Sequence, residues 1–225
     1  MKTKLFVCLA VSLVVVLYSA AQNSPLQRGI SVQMAPAANA DPMPDADDPN
    51  AWIVTITADG GLYLGTTPVT SEELYYKMKA RSRKLPKKLY LKADARAPYS
   101  SVERAIAGVH AFFGSVIVLS LQAEPATPGS TVPPRGIEVL ITAPAAGLKP
   151  SVELQAAAPG NPALTVNHEP VTWDALPRTL ENLLQDRDKV VPLEITGAVP
   201  FAQVVHVADL CHLVGARVIL PAPTL

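Results

Sequence analysis

Two cysteines, Cys8 and Cys211, are all the thiols the chain has. Cys8 sits in an N-terminal apolar run and Cys211 at a helix position that repeats Val109, where cysteine packs as a small hydrophobe. A disulfide framework is therefore excluded. Net charge is missing as well: 19 basic residues balance 19 acidic ones. A general nucleic-acid binder, which needs a basic surface to displace counterions, is excluded by that balance. Also absent are a glycine-rich phosphate loop, a nucleophile elbow and a zinc-ligand spacing. No serine or aspartate has a partner visible in the sequence for nucleophilic or acid–base work. The sequence thus carries no candidate catalytic residue and calls for no cofactor. Finally, the apolar run Leu5 to Ala21 contains no Asp or Glu, so no carboxylate within it can take up a proton.

What is present is organised around residues 89–121. Leu89, Leu91 and Ala93 alternate with Lys88, Tyr90 and Lys92, the period-two pattern of a half-buried strand. Val102, Ile106, Val109 and Phe113 then follow at i, i+4, i+7 and i+11, one face of a helix. Ser100 with Glu103 predicts a capping box, and Gly114 a left-handed exit from the helix. Ser115 to Leu121 is an apolar run of strand length.

This unit recurs. Pro68-Val69-Thr70 returns as Pro170-Val171-Thr172, an offset of 102 that also carries Leu91 to Leu193, Pro98 to Pro200, Tyr99 to Phe201 and His110 to His212. Upstream, Arg28-Gly29-Ile30 is echoed by Arg135-Gly136-Ile137. Helix face, strand parity and turn residues stay in register, which predicts an internal duplication.

Taken in order, residues 1–21 read as a transmembrane anchor or a signal peptide. Seventeen uncharged residues span about 26 Å as a helix, near the lower limit for crossing a bilayer. Ser19-Ala20-Ala21 also suits cleavage. Either way the lysines at positions 2 and 4 stay inside and the remainder is exported. Residues 22–50 form a Pro/Ala/Asp linker with a short strand at 30–34. A first domain spans 51–122, a linker 123–135 and a second, diverged domain 136–221. In the first, Trp52 to Thr57 and Leu62 to Leu64 make a hairpin about Asp59-Gly60-Gly61, and Thr70 with Glu73 caps a helix running to about Arg83. The fold class is α+β: two tandem β-β-α-β-α-β domains with helices on one face of a sheet.

His206, Asp209 and His212 fall at i, i+3 and i+6 of the last helix. They are the chain's metal-ligand candidates, but a tight helical site prefers i and i+4 and no fourth ligand is evident. The lysines and arginines clustered between Lys77 and Lys88 read as a solvated helix end.

The run Ile53-Val54-Thr55-Ile56-Thr57-Ala58-Asp59-Gly60-Gly61-Leu62-Tyr63-Leu64, the following Pro68-Val69 and helix, then Leu91-Lys92-Ala93-Asp94 and Pro98-Tyr99, resemble the periplasmic domain of ExbD/TolR biopolymer-transport proteins. Val32-Gln33-Met34-Ala35-Pro36 is similar to the strand-and-proline segment that family carries between membrane and domain. The resemblance implies a non-enzymatic envelope protein with a single inner-membrane span and its domains in the periplasm. It implies an ExbB/TolQ-like subunit or a TonB/TolA-like protein as partner, and peptidoglycan as a further one. Asp94, Pro98 and Tyr99 become the partner-contact candidates; for Asp94 the residues equally allow a role capping the following loop. The family anchor favours retention of residues 1–21. Its proton-carrying aspartate has no counterpart here, so the alternative is a soluble periplasmic module that has lost the motor role. Family domains pair as homodimers, and a tandem copy implies an intramolecular pseudo-dimer.

Overall fold

Leu89–Ala93 (β5), Tyr99–Val109 (α2) and Ser115–Ser120 (β6) form the expected strand–helix–strand unit. The computed structural model describes residues 29–122, 132–142, 148–157, 161–185 and 189–222. The anchor or signal segment 1–21 and most of the 123–135 linker lie outside the described residues. Val102, Ile106, Val109 and Phe113 are all buried, as their spacing requires. The α2 start differs from expectation. Pro98, with φ near −65°, is the N-cap, and Ser100 lies inside the helix without capping it. Main-chain carbonyls take first-turn amides instead, Val199 O accepting from Tyr99 N at 3.0 Å and Pro98 O from Ser101 N at 2.9 Å. Gly114 also departs: its φ is not positive, whereas Gly215, at the corresponding exit in the second half, has φ 72°.

Before this unit come Trp52–Ile56 (β2), Leu62–Leu64 (β3), Thr67–Pro68 (β4) and Ser71–Ala80 (α1). Thr70 and Glu73 do form a capping box: Thr70 Oγ1 accepts from the Glu73 amide at 3.1 Å, and Glu73 Oε2 accepts from the Thr70 amide at 2.7 Å. Helix α1 stops at Ala80, and Ser82–Lys84 continue as a single 3-10 turn. After the unit come Arg135–Thr142 (β7), Val152–Gln155 (β8), Ala163–Val166 (β9), Glu169–Pro170 (β10), Leu176–Leu183 (α3), Val190–Thr196 (β11), Phe201–Leu213 (α4) and Arg217–Pro221 (β12). Asn167 and His168, both at positive φ, make the two-residue turn between β9 and β10.

The strands join in one sheet of order β10-β9-β8-β11-β12-β7-β6-β5-β2-β3-β4. Within the first half β2, β5 and β6 run parallel and β3 and β4 antiparallel; β8, β11, β12, β9 and β10 repeat that arrangement in the second. Strand β7 is antiparallel to β6 over the whole of β6 and parallel to β12 at its other end. The two small sheets expected from the sequence are therefore continuous. The helices pack on one face over a single core that includes Leu91, Ile106, Leu193 and Phe201. Each outer edge is a two-residue, exposed strand ending in proline, Pro68 on one side and Pro170 on the other. Short proline edges block addition of further strands.

The opposite face carries Tyr90, Ile117 and Leu119, over which the N-terminal segment lays Met34, Met43 and Ala46. Strand β5 is consequently buried on both faces, Tyr90 being 2% exposed, and is not the half-buried strand its alternation predicts. No strand forms at 30–34 either. Residues 30–35 cross the ends of β5 and β6, where they make single bonds instead of a ladder: Ala95 N donates to Gln33 O at 2.7 Å and Leu121 N to Ala35 O at 2.8 Å. The short strand of this segment is Asp41–Pro42 (β1), antiparallel to the start of β7.

Helices α1 and α2 cross at Gly108. A Cβ there would lie 2.7 Å from the Ser71 carbonyl oxygen and 3.1 Å from a Leu74 methyl. Gly108→Ala is expected to force the helices apart and lower stability by about 1–3 kcal/mol, read as a lower midpoint in urea. An unchanged midpoint would show that the crossing tolerates a methyl group.

Candidate functional site

The two halves meet at the N-termini of α2 and α4. Tyr99 N donates to Val199 O at 3.0 Å and Phe201 N donates to Ala97 O at 2.8 Å, a reciprocal antiparallel bridge at Pro98 and Pro200. Each partner of the first bond sits 102 residues from its equivalent in the second. A further bond, Ala202 N to Ala95 O at 2.9 Å, ties α4 to the loop after β5. That loop is also gripped from the other side by the strap, residues 33–42.

Asp94, 3% exposed, organises the first grip. One oxygen accepts from the Gln33 amide at 3.0 Å; the other accepts from the Arg96 amide at 3.0 Å. The Arg96 guanidinium closes the arrangement in a two-point ion pair at 2.9 and 3.0 Å. The Arg96 side chain, assisted by the amides of Arg96 and Gln33, overrides burial and holds the Asp94 carboxyl well below the usual carboxylate range. Asp94 thus caps its own loop and the strap together. Pro98 is half-buried in the bridge, and Tyr99 is 3% exposed. Burial first, and the nearby Glu103 second, push the Tyr99 phenol up. The three residues read as partner contacts from the sequence touch other parts of this chain, and Arg96, whose side chain is 68% exposed, is what this corner shows to solvent.

The second grip comes from the other half. Asp209 on α4, 5% exposed, accepts from the Ala38 amide at 3.1 Å, the Asn39 amide at 2.8 Å and the Asn39 side chain at 3.1 Å. Arg135 at the start of β7 donates through Nε to Ala40 O at 2.9 Å and through Nη2 to the carbonyls of Ala38 and Ala40. His212 faces Asp41 at 3.2 Å. His206, by contrast, stacks on Trp173 with ring centroids 5.1 Å apart. The three metal-ligand candidates of α4 therefore go to three different partners, and among the described residues no group of three or more His, Cys, Asp or Glu side chains is placed to hold a metal. Burial pushes the Cys211 thiol up to about 12, which leaves it an inert packing group.

The sequence reading missed Arg135, Gln33 and Asn39 as parts of one clamp, and weighed Asp209 only as a metal-ligand candidate. One signal was present: Asp209 stands where the first half has Ala107, a lone carboxylate in the apolar run Val204 to Cys211. A buried carboxylate demands several donors, and the strap amides are those donors.

Asp94→Asn is expected to cost about 1–3 kcal/mol at neutral pH, solvent screening of Arg96 keeping the ion-pair share small. The depressed native value means this contribution is complete above the unfolded value of about 3.9 and is lost as pH falls below it towards the native one. Urea unfolding should show the gap between wild type and variant narrowing from pH 7 to pH 3; a constant gap would contradict the assignment. Asp209→Ala should speed amide exchange across residues 38–41 by at least about tenfold while β5 stays protected, and unchanged exchange would remove Asp209 from the clamp.

Among the described residues no helix is long and apolar enough to cross a membrane; the run from Leu5 to Ala21 lies outside them. No curated protein matches the chain. A family model described as biopolymer transport protein ExbD/TolR matches residues 6–124, which takes in most of the N-terminal apolar run, the strap and the whole first half up to the end of β6. Members of that family are non-enzymatic accessories of transport, membrane-anchored with a periplasmic domain, and they interact with ExbB/TolQ- and TonB/TolA-type proteins. With more than half of its 225 residues matched, this chain belongs to the ExbD/TolR family.

Proposed function

We propose that this chain is a non-enzymatic accessory of proton-motive-force-coupled biopolymer transport in which one polypeptide supplies two ExbD/TolR-like domains. Its N-terminal run stays in the inner membrane, and its two halves form an intramolecular pseudo-dimer in the periplasm. The reciprocal pair Tyr99–Val199 and Phe201–Ala97 carries this reading, because equivalent residues exchanging equivalent bonds is the pattern of an isologous interface. The ladder ends agree: Leu121 N to Ala35 O in the first half matches Ala222 N to Thr142 O in the second, each at 2.8 Å. The proline-ended edge strands leave no sheet edge suited to a further copy.

The partner surface of the first domain is the corner around Arg96, with Asp94, Pro98 and Tyr99 holding its shape from beneath. Its occupant is an ExbB/TolQ-like subunit or a TonB/TolA-like protein, with peptidoglycan as a further contact of the periplasmic domains. The strap transmits the pull of the tether to both halves at once, since Asp94 grips it at Gln33 and Asp209 at Ala38 and Asn39. A second reading is an exported scaffold module without motor function. It draws on the absence of Asp and Glu from Leu5 to Ala21, which leaves the run no proton-carrying carboxylate.

Light scattering of the detergent-solubilised chain is expected to give one 23.8-kDa polypeptide per particle; two per particle would overturn the pseudo-dimer. In membrane fractions the protein is expected to stay in the pellet after an alkaline wash. Release into the supernatant would instead establish the exported module.

A further inference from the structure

Residues 77–88 hold seven cations and no carboxylate. Three have partners within the fold: Arg81 lies over the Trp52 ring at 5.5 Å, Lys79 over Tyr75 at 5.8 Å, and Lys88 pairs with Asp45 at 3.1 Å. Lys77, Arg83, Lys84 and Lys87 are exposed and have no ion pair or side-chain hydrogen bond among the described residues. Helix-end electrostatics accounts for Lys77 and Lys79 in the last turn of α1, but Arg83, Lys84 and Lys87 lie beyond that turn.

The second half serves as an internal control. Its equivalent stretch, residues 179–190, has Glu181, Asp186 and Asp188 against Arg187 and Lys189. The same helix and strand form there without a cationic run, so the fold does not require one. Part of the charge faces this chain's own carboxylates, since Asp45 and Asp48 line one cavity with Lys87 and Lys88; Lys77, Arg83 and Lys84 lie outside that cavity, and their charge belongs to what the first half meets.

Position names that occupant. An open cavity of about 490 Å³ beside the cations is lined by Trp52, Lys77, Arg81, Asn50, Ile53 and Gly65. Ile53 and Gly65 also line a neighbouring cavity of about 270 Å³ whose wall includes Gly29, the first described residue. The tether therefore enters the fold next to the cationic face. Only residues 22–28 separate Gly29 from the apolar run, and seven residues reach at most about 25 Å when fully extended.

We propose that this face, with Trp52 at its centre, contacts anionic phospholipid head groups at the surface of the membrane that holds the tether. A juxtamembrane cluster of cations with an interfacial indole has the chemistry of such a contact. The contact orients the first half against the bilayer and leaves the second half, which lacks the charge, facing away. This rests on the tethered reading of the N-terminus.

The test uses the full chain in vesicles of phosphatidylglycerol with phosphatidylcholine, or of phosphatidylcholine alone, each doped with head-group-labelled quencher lipid. The chain has two tryptophans, so Trp173→Phe leaves Trp52 as the reporter, and Trp52→Phe identifies its signal independently. Trp52 quenching is expected to be at least about twofold stronger in the anionic vesicles. Raising salt to about 0.5 M should abolish that difference, as should the combined change Lys77→Gln, Arg83→Gln, Lys84→Gln and Lys87→Gln. Equal quenching in both vesicles, or none in either, overturns the proposal. Flotation separates this from the tether itself. A chain that floats with phosphatidylcholine alone but shows no anionic dependence at Trp52 keeps the tether and loses the contact. One that floats only with anionic vesicles, at low salt, keeps the contact and loses the tether; one that floats with neither loses both.

Discussion

Pairing of β6 with β7 is the constraint from which the rest of the molecule follows. Six consecutive register pairs, Ser115 with Leu140 through Ser120 with Arg135, join the first half to the strand that opens the second. The inward side of β7 supplies Ile137, Val139 and Ile141, each no more than 3% exposed, and burying each contributes roughly 1.5–3 kcal/mol. Because β7 also runs parallel to β12, the two halves share one core instead of meeting as separate bodies. With the sheet joined there, α2 and α4 come together on one face and their leading prolines are brought into the reciprocal bridge.

Two like-built halves cannot both use a strap of which there is one copy. The strap starts over the back of the first half and finishes on β7 and α4, so the halves must grip different parts of it. Asp94 performs that task in the first half, and its equivalent is Thr196; Asp209 performs it in the second, and its equivalent is Ala107. Each buried carboxylate is satisfied by strap amides, with Arg96 completing the set at Asp94 and the Asn39 side chain at Asp209, the condition under which a buried charge adds rigidity without an unpaired penalty. The asymmetry of charge at the end of α1 belongs to the same division of labour. One half carries the strap across its back face, and the other completes the core.

Much of the local architecture was legible from residue order. The stripe Val102, Ile106, Val109 and Phe113, the capping box of Thr70 and Glu73, and the alternation of Leu89, Leu91 and Ala93 each depend on neighbours within a turn or two, so local rules suffice. Tyr90 was misread for the opposite reason. Its cover is Met34, Met43 and Ala46, more than forty residues upstream, and no periodicity within the strand reports it. The same holds for residues 30–34, whose extended composition suits a strand but whose partners are the ends of β5 and β6.

By itself, the sequence determined the succession of strands and helices within each half, the correspondence of residues at an offset of 102, and the family. Those properties reside in spacing and residue type. Only the tertiary structure decided that the halves share one sheet, that Asp94 and Asp209 hold a common strap, and that the α4 histidines part company. Each of these depends on which distant groups meet, and main-chain amides and carbonyls are alike at every residue but proline, so the residues that a buried carboxylate or a sheet edge will find are not marked by their own side chains.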